Sequence, residues 1–137
     1  MAGLVKVWTS EEDWEACTLA DADTETAPGS VLVDAGEAMA EVTTPVYERV
    51  GVTHQSRVVI GAHLPEGSNV VVRYRVGATE SACGSAEWSD WFGAFVFVDL
   101  DTREATAVFD LLLDSLNRSI SEADQKFVQY NGRIYRA

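Results

Sequence analysis

Residues 69–92 read Asn-Val-Val-Val-Arg-Tyr-Arg-Val-Gly-Ala-Thr-Glu-Ser-Ala-Cys-Gly-Ser-Ala-Glu-Trp-Ser-Asp-Trp-Phe. Over its first eight residues the stretch alternates strictly. Val70, Val72, Tyr74 and Val76 fall on one face, and Val71, Arg73 and Arg75 on the other. Successive side chains of an extended chain point to opposite sides. A two-residue repeat built from β-branched and aromatic residues therefore predicts a half-buried antiparallel strand. A loop of small residues follows, and then Trp88-Ser89-Asp90-Trp91-Phe92. The strand points to a mainly β protein, and nothing in the stretch carries catalytic chemistry.

Working outward, Ser56–Ala62 reads as a second strand. The turn at His63–Ser68, with Pro65 and Gly67, predicts that it pairs antiparallel with the strand at Asn69–Val76. Trp91–Asp99 is the most apolar run and reads as a central strand. Leu4–Trp8, Ser30–Asp34 and Val42–Val52 read as extended, with Pro45 near an end or edge. Ser10 followed by Glu11, Glu12 and Asp13 predicts an N-cap and a short helical turn through Trp14 and Ala16. Residues 20–29 read as an acidic loop.

Thr102–Asn117 differs, because Val108, Leu112 and Leu116 recur every four residues. That spacing predicts one helix within 102–118. Phe127–Tyr130 and Arg133–Arg136 read as two short strands joined by Asn131-Gly132, a strong hairpin signal. Many short strands with frequent turns predict an antiparallel β-sandwich of jelly-roll type with one short α-helix; a fibronectin-like sandwich is the alternative. The expected organisation is a sandwich domain over 1–130 and a C-terminal strand or docking arm over 131–137.

A chain of 137 residues, 47% of them hydrophobic, is long enough for one domain with a full core. The formal net charge is -12, and residues 1–66 hold 12 acids against 3 bases. Such a surface repels phosphate backbones and anionic lipid, so neither nucleic acid nor membrane is an expected partner. The acidity serves either solubility or docking on a basic neighbour. No apolar h-region follows the first residues, and no apolar run reaches the roughly 20 residues of a membrane helix, so leaderless synthesis in the cytosol is expected. Cys17 and Cys83 lack ligand spacing and are expected to be buried, reduced thiols.

The first candidate site joins Trp88 and Trp91 with Arg73 and Arg75. Both arginines leave the same strand face, and a guanidinium can stack on an indole. The arrangement reads either as an aromatic–arginine ladder or as a platform for a glycan. Trp88-Ser89-Asp90-Trp91 resembles the motif of cytokine-receptor domains, with Phe92 replacing its closing serine. Asp21, Asp23 and Glu25, and also Asp99 and Asp101, alternate in loops without the glycine and bidentate glutamate of an EF-hand. His54 and His63 form no metal-binding pattern, so no metal and no cofactor are expected. No nucleophile elbow, phosphate loop or dinucleotide fingerprint is present, and no carboxylate pair stands out for glycoside hydrolysis. The chain is expected not to be an enzyme.

Several segments in order resemble the small β-sandwich domains of bacteriophage tail, baseplate and fibre proteins. They are Val7-Trp8 with Glu12-Asp13-Trp14-Glu15, Gly29–Val33, Ser56–Gly61, Val70–Gly77, Trp88–Trp91 and Phe127–Tyr130. The expected helix at 104–117 and the end at 130–136 depart from that pattern. The resemblance implies a virion structural protein that contacts other tail proteins, forms a homo-oligomer within a larger assembly and has no cofactor. Arg133, Ile134, Tyr135 and Arg136, two arginines flanking two apolar residues, read as an assembly arm on their own pattern, as a docking strand would. A carbohydrate-binding, receptor-reading module is the alternative.

Overall fold

A computed structural model describes residues 10–27, 29–48, 55–112 and 126–136. The expected strand at Leu4–Trp8, the end of the stretch expected to be extended to Val52, and His54 lie outside these residues. The described chain is mainly β, in antiparallel sheets. The strand read first, β7 (Asn69–Gly77), follows β1 (Thr18–Ala20), β2 (Ala22–Asp23), β3 (Leu32–Val33), β4 (Met39–Thr43), β5 (Tyr47–Glu48) and β6 (Gln55–His63). After it come β8 (Phe95–Val98), β9 (Glu104–Leu112) and β10 (Phe127–Tyr135).

β7 pairs along its whole length with β10, from Phe127 opposite Gly77 to Tyr135 opposite Asn69. The other side of β10 takes β4 and then β5, with β1 beyond β4. Between β4 and β5, residues 44–46 face only residues 129 and 130, so one extra residue bulges at Pro45. Pro45 has no N–H to give. Thr44 spans the gap instead: its N–H reaches Tyr130 O at 2.9 Å, and its hydroxyl accepts from Tyr130 N at 3.1 Å. The second large sheet has the order β6-β9-β8, and β2 and β3 form a small ribbon.

The alternation of β7 works as read. Val70, Val72, Tyr74 and Val76 are buried in one cluster with Val128 of β10 and with Ala105, Ala107 and Phe109 of β9. Val58, Ile60 and Ala62 of β6 pack against them. One face of each large sheet thus shares a single core.

Four expectations are corrected. First, β6 and β7 do not pair with each other. β6 pairs with β9, and the turn at Pro65–Ser68, with Gly67 at φ 90, carries the chain from one sheet to the other. Leu64 is buried, and its N–H bonds Arg103 O at 2.9 Å, which ties this crossing to the second sheet. Second, residues 104–112 form a strand and not a helix. A four-residue interval is also two strand repeats, so Val108 and Leu112 fit both periods; β-branched Thr106 and Val108 and inward Phe109 favour the strand. Residues 113–118 of the expected helix lie outside the described residues. Third, Trp91–Asp99 is not central: only Phe95–Val98 is strand, at a sheet edge. Fourth, Asn131-Gly132 makes no hairpin, and of the expected C-terminal strand or docking arm over 131–137, residues 131–135 belong to β10. Asn131 and Gly132 sit inside the continuous β10, paired on both sides.

The described residues include two short helices. In α1 (Glu11–Glu15), Ser10 is the expected N-cap, and Asp13 completes a reciprocal capping box with it. α2 (Glu80–Ser85) was read as loop; Thr79 caps it, accepting from Ala82 N at 3.0 Å. α2 lies so close to the end of β7 that a Cβ on Gly77 would fall onto the backbone of Ala82 and Cys83.

Candidate functional site

The outer face of the β7–β10 sheet carries the residues the sequence singled out. Arg73 and Arg75 leave β7 on the side away from the core. Across β10 they meet Asn131 and Gln129, their register partners. Arg73 Nε donates to Asn131 Oδ1 at 2.9 Å, and Arg75 Nε donates to Gln129 Oε1 at 2.7 Å. Asn131 is only 1% exposed, and its amide donates onward to Thr43 Oγ1 at 2.8 Å. Arg133 on the same face binds Glu41 Oε2 at 2.8 Å.

The Trp88–Phe92 segment is laid along the outer edge of β7 by backbone bonds. Ser89 N reaches Tyr74 O at 2.8 Å, and Phe92 N reaches Val72 O at 2.8 Å. The buried Ser89 hydroxyl stands in for a ladder carbonyl and accepts from Tyr74 N at 3.0 Å. This anchoring turns both indoles over the arginines. Arg75 lies 4.2 Å from the Trp88 ring centroid and Arg73 4.9 Å. Arg73 is 4.4 Å from the Trp91 centroid and Arg133 4.5 Å. The ladder therefore runs Arg75, Trp88, Arg73, Trp91, Arg133, and ends on Glu41. On the opposite side of the same segment, Phe92 stacks on Tyr74 at 5.8 Å.

The electrostatics follow from this crowding. Burial works to raise the Glu41 carboxyl, but hydrogen bonds from Arg133 and Asn131 and the charges of Arg133 and Arg73 outweigh it and hold it below the usual range. Arg73 is shifted down, first by burial and then by the neighbouring Arg133 charge, with Glu41 opposing. Beneath the strand, Cys83 is fully buried and its thiol donates to Arg75 O at 3.5 Å; burial pushes its pKa up to about 11, against the pull of Arg75. A thiol held that high is a poor nucleophile. Cys17 is also buried, and no disulfide joins the two.

The other residues singled out from the sequence lie as follows. The arm residues are internal: Arg133 belongs to the ladder, Ile134 packs against the core, and Tyr135 pairs with Asn69 and Met39. Arg136 Nη2 donates to Val33 O at 2.8 Å and Asp34 O at 2.9 Å. The loop acids close turns. Asp23 Oδ1 accepts from the N–H of Glu25 and of Thr26, and Asp99 Oδ1 from those of Asp101 and Thr102. Among the described residues no group of three or more His, Cys, Asp or Glu side chains could hold a metal ion. His63 sits 3.5 Å from Glu104, both exposed. Among the described residues no helix is long and apolar enough to cross a membrane.

Sequence reasoning missed Glu41, Gln129 and Asn131, and it placed Arg133 elsewhere. The available signal was the alternation of Gln129, Asn131 and Arg133, which an uninterrupted strand puts on one face. It also missed the outer face of the β6-β9-β8 sheet. There Val59, Val108 and Phe95 align across three strands, and Thr106 stands between Gly61 and Phe97. Phe95 is 71% exposed, Phe97 70%, and Leu100 at the tip of the β8–β9 hairpin 75%. No protein-family model, no curated protein and no solved structure matches this chain.

Proposed function

We propose that the protein is a structural or adaptor subunit of a bacteriophage tail or tail-like particle, built as a jelly-roll β-sandwich and acting through protein–protein contacts rather than catalysis. The observation that carries this reading is the apolar row on the outer face of the second sheet. Large side chains at Phe95, Phe97 and Leu100 face water together. Contiguous apolar surface of this kind marks interaction sites. The order of short segments resembling tail, baseplate and fibre domains gives the row its context, with other tail proteins and further copies of the chain as neighbours in the virion.

The glycan-binding alternative rests on Trp88 and Trp91, which are half-buried. Each indole already has two guanidinium groups within 4.9 Å of its centroid, which takes up the ring faces a sugar would stack on. The ladder is better suited to pinning the Trp88–Phe92 segment to β7. Density-banded particles from cells that encode the protein test the reading. Mass spectrometry should find the chain at a fixed ratio to other tail proteins. A chain found only outside particles, with selective signals on a glycan array, would move the assignment to the lectin alternative.

A further inference from the structure

β8 is short, apolar on both faces and bonded on one side only. It pairs with β9 from Phe95 opposite Val108 to Val98 opposite Ala105, and its other edge has no partner among the described residues. Phe95 and Phe97 are the most exposed of its side chains, and Val96 on the opposite face is exposed as well. An open edge of this composition is a template for another strand unless charge or proline blocks it. Neither occurs between Phe95 and Val98.

The charge lies just past the strand. Asp99, Asp101 and Glu104 are all exposed around the hairpin that joins β8 to β9. Arg103 beside them is half-buried and committed to Leu64 O at 2.8 Å, and Glu104 faces His63 of β6 at 3.5 Å, so Asp99 and Asp101 are the carboxylates left at the end of β8. A guest strand on the β8 edge would therefore meet apolar surface along its length and carboxylates at one end. A second copy of this chain fits poorly. In an antiparallel self-pairing centred on residues 95–98, the acids at 99 and 101 would lie beside the Phe92–Ala94 stretch, which has no cation. Two chains of net charge -12 would also repel.

We propose that β8 is a docking strand that receives an extended segment of a different protein. That segment is apolar at alternate positions and carries lysine or arginine where it passes the 99–104 hairpin. Main-chain bonds along the edge would supply affinity, and the phenylalanines and carboxylates would supply register. The proposal rests on the reading of the chain as an assembly subunit.

The test uses two labelled peptides, Lys-Arg-Lys-Val-Thr-Val-Thr-Val-Thr-Gly and its counterpart beginning Glu-Asp-Glu, with the full chain. The basic peptide should bind roughly tenfold more tightly at low salt and lose that advantage at about 1 M salt, where screening is short-ranged. Hydrogen exchange on the unaltered protein should slow at residues 95–98. The double variant Phe95→Thr with Phe97→Thr should weaken binding by roughly tenfold. Equal affinity for the two peptides, slowed exchange elsewhere only, or undiminished binding by the double variant would overturn the proposal. So would a dimer in sedimentation that the double variant abolishes, which would assign the edge to a second copy. Particle analysis separates the two levels. A chain present in particles whose β8 edge ignores the basic peptide removes the docking strand and leaves the tail reading standing. A chain absent from particles that still captures the peptide does the reverse.

Discussion

The two large sheets turn opposite kinds of surface outward. On the β7–β10 sheet, the outer face is filled by three arginines, two tryptophans and their hydrogen-bonding partners. The edge of β7 is closed by the Trp88–Phe92 segment. On the β6-β9-β8 sheet, the outer face carries a row of exposed apolar side chains, and among the described residues the β8 edge has no partner. The first face is finished within the chain: each arginine Nε has a side-chain acceptor, and each guanidinium has a ring. The second face gains nothing for the isolated chain. An indole–guanidinium ladder and a bare phenylalanine pair both look like surface aromatics in a sequence. Their consequences differ, because one is packed within the chain and the other faces water. Substitutions at each should therefore divide sharply between stability and association.

The largest effect is expected where α2 supports the ladder segment. Gly77→Ala would place a methyl against the backbone of Ala82 and Cys83. No flexible side chain can yield there, so α2 must shift or β7 must bend. A loss of about 3 kcal/mol is expected in urea unfolding, at the upper end for overpacking. A wild-type midpoint would mean that α2 is not seated on the strand, and the support assigned to the ladder segment would fall with it.

Arg73 comes next, because it is the ladder's middle rung. Arg73→Ala removes contacts to both indoles and leaves the buried Asn131 Oδ1 without its donor. About 2 kcal/mol should be lost, combining a stacked cation with an unmet acceptor. Arg73→Lys should recover only part, since an ammonium cannot stack and donate in one plane. Full recovery by lysine would show that charge alone matters at this position.

How far the sequence could be read follows the same division between local and long-range causes. The alternation of β7 is local, and its faces, its core residues and the pairing of arginines with tryptophans were legible. Ser10 and Asp13 were legible as a cap for the same reason. The Asn131-Gly132 signal is also local, yet it was overridden. β7 pairs β10 along its whole length and β4 pairs residues 131–135, and Asn131 finds Thr43 and Arg73, far away in sequence. Glu41 joined the ladder unseen because its partner is 92 residues away. The strand at 104–112 was lost to a four-residue spacing that fits both periods. No one-dimensional pattern says that a turn such as Pro65–Ser68 changes sheets.

The end of the ladder gives a pH signature. The folded protein holds the Glu41 carboxyl below its ordinary value near 4.5. A carboxyl lowered by folding stabilises the protein above its unfolded pKa. That contribution is lost as pH falls through the folded value. The pair with Arg133 is partly exposed, so about 1 kcal/mol is at stake. Wild type should thus exceed Glu41→Gln at pH 6.5, and the gap should close below pH 4.5. A gap independent of pH would assign the effect to packing or hydrogen bonding rather than charge.

The smallest effect is expected on the bare sheet, and it bears most on the comparison. Phe97 is 70% exposed beside Thr106 and Gly61, so its ring contributes little burial to the isolated fold. Threonine keeps the strand preference of the site. Phe97→Thr should therefore change stability by no more than about 0.5 kcal/mol, as for ordinary surface positions. It should also raise solubility, because an exposed aromatic on an open edge promotes association. Urea unfolding and the concentration at which the chain precipitates measure both. A loss as large as that of Arg73→Ala would mean that Phe97 is packed within the chain, and the two faces would no longer differ in kind. An unchanged midpoint with weaker capture of the basic peptide would leave the ladder as a fastening of the fold and the phenylalanine row as a surface for another protein.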